Sequence, residues 1–262
     1  MGDNTQTFRR PMLAGNWKMN GTYDQAVHLV KSLSRPLSLE DTIDRIICPP
    51  FVYLEAVGRT LVQESVDIVL GAQDCAVTAN GARTGDVSAS MIRDIGCGVV
   101  IIGHSERRQH HGEDATILTA KLLQAYEAGL QVILCVGETQ SQRAEGQASA
   151  HVLQQIAALL PHIRVDQTTL AYEPIWAIGT GLTATPEDAE TMHSNIRHYL
   201  QENLAEWSKM RILYGGSVNA GNAASLAQMP GIDGFLVGGA SLDADAFVVI
   251  GQVLATAKKQ KE

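Results

Sequence analysis

Eight short apolar runs punctuate the chain: Met12 to Trp17, Arg45 to Cys48, Asp67 to Gln73, Val99 to His104, Gln131 to Gly137, Thr169 to Trp176, Arg211 to Gly216 and Gly234 to Gly239. Most are near-continuously apolar rather than alternating, the pattern of strands buried on both faces of a parallel sheet. Parallel neighbours need long crossovers, and the intervals supply helices. Apolar residues at three- and four-residue spacing mark Tyr23 to Ser34, Val52 to Gln63, Ser88 to Ile95, Asp114 to Ala128, Gln147 to Leu160, Pro186 to Leu204, Asn219 to Gln228 and Ala244 to Ala257. The clearest helix start is Thr185-Pro186-Glu187-Asp188, with Thr185 as N-cap, Pro186 at the first helical position and Asp188 reaching back in a variant capping box. Eight strand-helix units predict an α/β fold of the (β/α)8 TIM barrel class, with a doubly wound open sheet as the alternative.

At 262 residues with no long Pro/Ser/Gly-rich linker, the chain reads as one barrel domain over 9-258, flanked by flexible termini at 1-8 and 259-262. No apolar run is long enough to span a bilayer, and the first residues lack the apolar core of a signal peptide, so a cytoplasmic protein with no membrane partner is expected. The net charge of −8 argues against a nucleic-acid partner and means that an anionic substrate must be caught by local chemistry. Cys48, Cys75, Cys97 and Cys135 stand far apart, without zinc-type spacing, and read as reduced buried thiols; no metal site is expected.

In a barrel of this kind the reacting groups sit at the C-terminal strand ends. Those positions hold Asn16, Lys18, His104, Ser105, Glu106, Glu138, Glu173, Ser217 and Gly238-Gly239. Glu173 follows an apolar strand and precedes Pro174, which stops the strand, and a Gly-rich stretch. That places a candidate general base beside a candidate lid. A solvated loop carboxylate is the plainer reading of Glu173 taken alone. His104 offers an imidazole, with a satisfied structural histidine as the alternative. Lys18 offers a cation for an anion or a developing oxyanion, where an ordinary surface lysine is the alternative. Gly215-Gly216-Ser217 and Gly238-Gly239, each before a helix, let backbone N–H groups approach a phosphate, although a lone Gly-Gly is usually a tight turn. Gly179-Thr180-Gly181-Leu182-Thr183-Ala184 matches a dinucleotide fingerprint in letters only, because Gly179 stands six positions after Glu173 and the helix signal starts at Thr185.

Six segments in order resemble the triosephosphate isomerase family: Gly15 to Gly21, Gly103 to Arg108, Cys135 to Glu138, Ala171 to Gly181, Tyr214 to Val218 and Gly234 to Leu242. The resemblance implies interconversion of dihydroxyacetone phosphate and D-glyceraldehyde 3-phosphate, in glycolysis and gluconeogenesis, without cofactor or metal. It implies Glu173 as the base, His104 as the carbonyl-polarising imidazole, Lys18 and Asn16 as stabilisers of negative charge on oxygen, and Glu106 as support for Lys18. Gly179, Ser217, Gly238 and Gly239 would hold the phosphate. Residues 174 to 184 would close as a lid, with Ser105 holding Glu173 in the open state. Tyr214 would latch the closed lid near Ala184, and Glu138 would latch it at Trp176. A homodimer is implied by the loop Asn80 to Asp86, with Thr84 approaching the partner's Asn16, Asp86 pairing with the partner's Arg107, and Met19 at the interface.

The chain departs from the family at Arg83 for a usual Phe, at Asp86 for a usual Glu, at Leu182 for a common Lys, and along Gln142 to Gly146. Two other function classes stay open on the residues alone. One is another phosphate-binding barrel enzyme such as an aldolase or lyase, although no central strand carries a lysine for a Schiff base. The other is an inactive dimeric scaffold.

Overall fold

In a computed structural model, described over residues 9–34, 42–178 and 183–259, the eight apolar runs form strands that hydrogen-bond in chain order and close on themselves. The strands are β1 (Met12–Asn16), β2 (Asp44–Cys48), β3 (Val69–Ala72), β4 (Val99–Ile102), β5 (Gln131–Val136), β6 (Thr168–Tyr172), β7 (Ile212–Tyr214) and β8 (Gly234–Val237). Every pairing is parallel, and β1 pairs with both β2 and β8, so the sheet has no edge. The open-sheet alternative is excluded.

Ten helices are described: α1 (Tyr23–Leu33), α2 (Leu54–Gln63), α3 (Ala89–Asp94), α4 (Ser105–His111), α5 (Ala115–Glu127), α6 (Gln140–Ala144), α7 (Ala148–Leu159), α8 (Pro186–Asn203), α9 (Ala223–Ala227) and α10 (Ala244–Lys259). Eight correspond to the expected intervals. The short α4 and α6 are additions at strand ends, where the sequence lacks an apolar period long enough to announce them. The run expected to continue as strand to Trp176 stops at Tyr172, and Ile175–Ala177 turns as a 3-10 helix after Pro174. The helix expected over Asn219 to Gln228 shortens to α9. Lys259, expected in a loose terminus, is the last residue of α10. Residues 1–8 and 260–262 lie outside the described residues, as does the 179–182 stretch.

Local chemistry starts the helices as expected. Thr185 Oγ1 accepts from the Asp188 N–H at 3.0 Å while Asp188 Oδ2 accepts from the Thr185 N–H at 3.4 Å, with Pro186 at the first position. The same reciprocal cap joins Thr139 to Gln142 at the head of α6.

The two faces of each strand separate into two cores. Met12, Ala14, Ile46, Cys48, Val99, Ile101, Ile133, Cys135, Ala171, Leu213 and Leu236 fill the barrel interior. Their strand neighbours, such as Leu13, Val100, Ile102, Leu134 and Tyr172, pack outward beneath the helices. Residues i and i+2 share a face, so Asn16 follows Ala14 and Glu173 follows Ala171 toward the barrel axis.

Candidate active site

His104 breaks that rule. Ile102 faces the helices, and by strand parity His104 would do the same, yet it lines the same cavity as Glu173. Gly103 causes the change: at φ +71 it adopts a left-handed conformation unavailable to most side chains and redirects the chain into α4. His104 becomes the N-cap of that helix, and its Nδ1 accepts the Glu106 N–H at 3.2 Å.

Glu173 is 1% exposed. Its Oε2 accepts the Ser105 N–H at 2.9 Å, and its Oε1 lies 2.9 Å from Nε2 of His104. Because Nδ1 of His104 is occupied as an acceptor, the neutral ring carries its proton on Nε2 and donates it to Glu173. Burial opposes the Glu173 charge, but His104, the Ser105 N–H and Lys18 outweigh it and hold the carboxyl below its usual range. Burial likewise pulls the His104 ring down, and the facing Glu173 carboxylate more than reverses this.

Lys18 closes the triangle. Its Nζ donates to Glu106 Oε1 at 2.7 Å, and Glu106 Oε2 lies 3.6 Å from Nδ1 of His104. Lys18 has φ +53, a costly conformation for a residue with a Cβ. Its backbone is pinned on both sides: the Lys18 N–H donates to Asn16 Oδ1 at 3.0 Å, and Gln73 Nε2 donates to the Lys18 carbonyl at 2.9 Å.

Asn16, Lys18, His104, Glu173, Gly215, Gly216, Ser217, Gly238 and Gly239 thus surround one cavity of about 380 Å³ at the C-terminal end of the barrel. A 3-10 turn, Gly239–Leu242, opens at the cavity wall, and the first N–H groups of any helical turn have no intrahelical acceptor. The cavity can therefore offer backbone donors to an anion on one side, an ammonium beside it, and a carboxylate-imidazole pair opposite.

Trp176 and Glu138 meet behind this wall. Trp176 Nε1 donates to Glu138 Oε1 at 2.9 Å, and Tyr172 donates to the same oxygen at 3.0 Å. This bond coexists with the Ser105–Glu173 bond. The contacts that the resemblance divides between open and closed states belong here to one conformation. Tyr214 and Ala184 are both buried, and the Tyr214 hydroxyl lies against Gly216, with no bond to Ala184 among the described residues. Gly179 falls outside those residues.

The residues that the resemblance implies at an interface do not line the cavity. Met19 is 95% exposed. Asp86 pairs with Arg83 of its own chain at 3.6 Å, so these two departures from the family pattern supply each other with a partner. Arg107 already pairs with Glu113 at 2.6 Å and Asp74 at 2.9 Å.

Sequence reasoning missed three supports of the site. Gln73 ends the third apolar run on the active face, a position that could have drawn attention to it. Arg108 donates to the carbonyls of Gly103 and Cys135 at 2.8 and 2.9 Å, tying together the ends of β4 and β5 beneath His104 and Glu173; it closes the Gly103 to Arg108 segment, but the sequence gives it no role. At Gly137 a Cβ would lie 2.9 Å from the Glu173 carbonyl carbon and overlap its oxygen, a close approach invisible without the fold.

A closed (β/α)8 barrel whose C-terminal face joins a buried carboxylate, an imidazole and an ammonium is a barrel enzyme whose cavity can move a proton beside an anion. A family model described as triosephosphate isomerase matches residues 11–254. A triosephosphate isomerase of Hahella chejuensis is 45% identical over 245 residues, covering 93% of this chain and 98% of the relative. One of Marinobacter nauticus is 46% identical over 247 residues, covering 93% and 97%, and one of Rhodopseudomonas palustris is 45% identical over 243 residues, covering 92% and 96%. The chain belongs to the triosephosphate isomerase family.

Proposed function

We propose that this chain interconverts dihydroxyacetone phosphate and D-glyceraldehyde 3-phosphate, with Glu173 as the base that carries a proton between the two substrate carbons. The observation that carries the assignment is the Glu173 geometry: a fully buried carboxylate held at 2.9 Å by both the Ser105 N–H and Nε2 of His104. The ketose binds with its phosphate at Ser217, Gly238 and Gly239. Glu173 takes a proton from C1; the electrons of that C–H bond form the C1–C2 double bond, and the C2 carbonyl oxygen becomes an enediolate oxygen. His104 donates from Nε2 to that oxygen, while Lys18 and Asn16 stabilise its charge. Hydroxyl protons are exchanged through the imidazole, Glu173 returns its proton to C2, and the aldose is complete. Triosephosphate isomerases are themselves a standard illustration of this neutral-imidazole chemistry. The hydrogen moves within one molecule, so the reaction requires no external electron carrier.

Residues 174–184 act as a lid that excludes water, a role for which this family is again the usual example. The enzyme works as a homodimer, with Met19 and the loop Asn80 to Asp86 at the interface. The partner's Asp86 joins an Arg107 that its own chain already neutralises, so that contact adds little. Expression in the cytoplasm fits four cysteines that are all buried and free, two of which, Cys75 and Cys97, have thiols pushed up to about 12 by burial. Among the described residues no helix is long and apolar enough to cross a membrane.

An assay coupling the pure protein to a glyceraldehyde-phosphate-linked dehydrogenase tests the proposal. Turnover from dihydroxyacetone phosphate supports it. Binding of the triose phosphate without turnover identifies an inactive scaffold, and carbon–carbon cleavage products identify a lyase.

A further inference from the structure

Arg143 occupies a position that the functional reading leaves unused. It lies in the last turn of α6, the five-residue helix that begins right after Glu138 and Thr139. Its guanidinium sits 4.5 Å from the centroid of the Trp176 ring. From the same guanidinium, Nη2 donates to Asp188 Oδ1 at 2.7 Å. Trp176 belongs to the turn that leaves the catalytic strand, and its indole N–H is held by Glu138. Asp188 is the residue that closes the cap with Thr185 at the start of α8. One side chain therefore touches the turn that follows Glu173 and the first turn of α8, the two elements between which the segment runs.

Four features make this a joint rather than two incidental surface contacts. The planar, permanently charged guanidinium can stack on an aromatic face while its edge binds a carboxylate, a combination that a lysine ammonium lacks. Both Arg143 and Asp188 are partly shielded, at 35% and 38% side-chain exposure. Glu138 anchors the indole through its N–H, so Trp176 is fixed by a hydrogen bond and by a cation over its face at once. The sequence around Arg143 differs from its family pattern on both sides, whereas the arginine itself matches it.

We infer that Arg143 is a positioning residue that clasps the two ends of the 174–184 segment to α6, so that binding of the substrate phosphate is converted into correct placement of Glu173. This rests on the proposed isomerase reading. A group acting this way contributes only when the substrate carries the remote phosphate whose binding energy is used to place the base. A merely structural arginine would affect every substrate alike.

The test compares Arg143→Ala and Arg143→Lys with the parent enzyme on triose phosphate and on phosphate-free glyceraldehyde, together with amide hydrogen exchange. Arg143→Ala is expected to lower kcat/KM for the phosphorylated substrate about tenfold while changing that for glyceraldehyde less than about twofold. Arg143→Lys keeps the charge opposite Asp188 and is expected to restore only part of the loss, because the stack on Trp176 is weakened. Hydrogen exchange in Arg143→Ala should accelerate at both 175–178 and 183–188, with core strands unchanged. Equal losses on the two substrates, full rescue by Lys, or acceleration at one end only would overturn the inference. If the parent enzyme shows no isomerase activity, the functional reading fails instead, and exchange at the two ends still decides whether the clasp exists.

Discussion

Replacing Glu173 by Gln preserves the shape of the side chain and removes its charge. One Glu173 oxygen accepts from Nε2 of His104 and the other from the Ser105 N–H, each at 2.9 Å. A Gln oxygen can take only one of these donors, and its NH2 group then faces the other. The ring cannot relieve the conflict by moving its proton, because Nδ1 already accepts the Glu106 N–H at 3.2 Å. One buried donor is left unpaired in every arrangement, a cost of about 1–3 kcal/mol. Against that, the substitution no longer buries a charge, which offsets part of the cost. We therefore expect unfolding stability to change by at most about 2 kcal/mol, within the ordinary range for a point mutant. The catalytic effect is larger. Removing a positioned general base costs about 10²- to 10⁴-fold in kcat, equivalent to about 2.7–5.4 kcal/mol of barrier. Coupled-assay kcat and KM, measured beside urea unfolding on the same preparation, separate the two effects. A folded Glu173→Gln variant that retains kcat within a factor of about three of the parent would refute the assignment of the base.

Three further outcomes can be checked. Gly137→Ala should lower kcat by about 10²-fold, because the new Cβ overlaps the Glu173 carbonyl and displacing the base by about 1 Å has that order of effect; unchanged kcat would show that the strands yield elsewhere. His193 is fully buried, its Nδ1 donating to the Gly231 carbonyl at 3.1 Å, and burial pulls its pKa from 6.5 to about 4. Between those values the unfolded chain binds a proton that the native ring refuses. Its contribution is thus intact above pH 6.5 and is lost as pH falls toward 4, on the order of 3 kcal/mol in total. Urea midpoints against pH should flatten over that window in His193→Asn. Sedimentation equilibrium should give a mass near twice the chain's 28.1 kDa, and a fully active monomer would contradict the proposed interface.

Much of the fold and site was legible because the signals are local. Burial on both faces makes β4 read as Val-Val-Ile-Ile, and the Thr185-Pro186 start of α8 carries its own cap. Strand-end position alone gathered Asn16, Lys18, His104 and Glu173 into one group. The failures are nonlocal. The short α4 and α6 have no full apolar period, and the stop at Tyr172 is set by where β6 loses its partner strands as much as by Pro174. Gln73 acts through the distant Lys18 carbonyl, and Arg108 joins its own segment at Gly103 to the distant Cys135 carbonyl, so the linking role of each shows only in the fold.

The sequence by itself determined eight strand-helix units, the strand ends at which candidate reacting groups gather, and the family, because periodicity and ordered motifs are properties of short stretches; closure of the sheet came from the structure. Only the tertiary structure decided how the groups act on one another. Gly103 turns His104 toward the axis, the Glu106 N–H selects the tautomer of its ring, and Glu173 is buried against two donors while remaining charged. The first two are local turns whose consequence appears only when β4 and β6 come together, and the third depends directly on their separation; electrostatic and hydrogen-bond energies follow such distances rather than residue order.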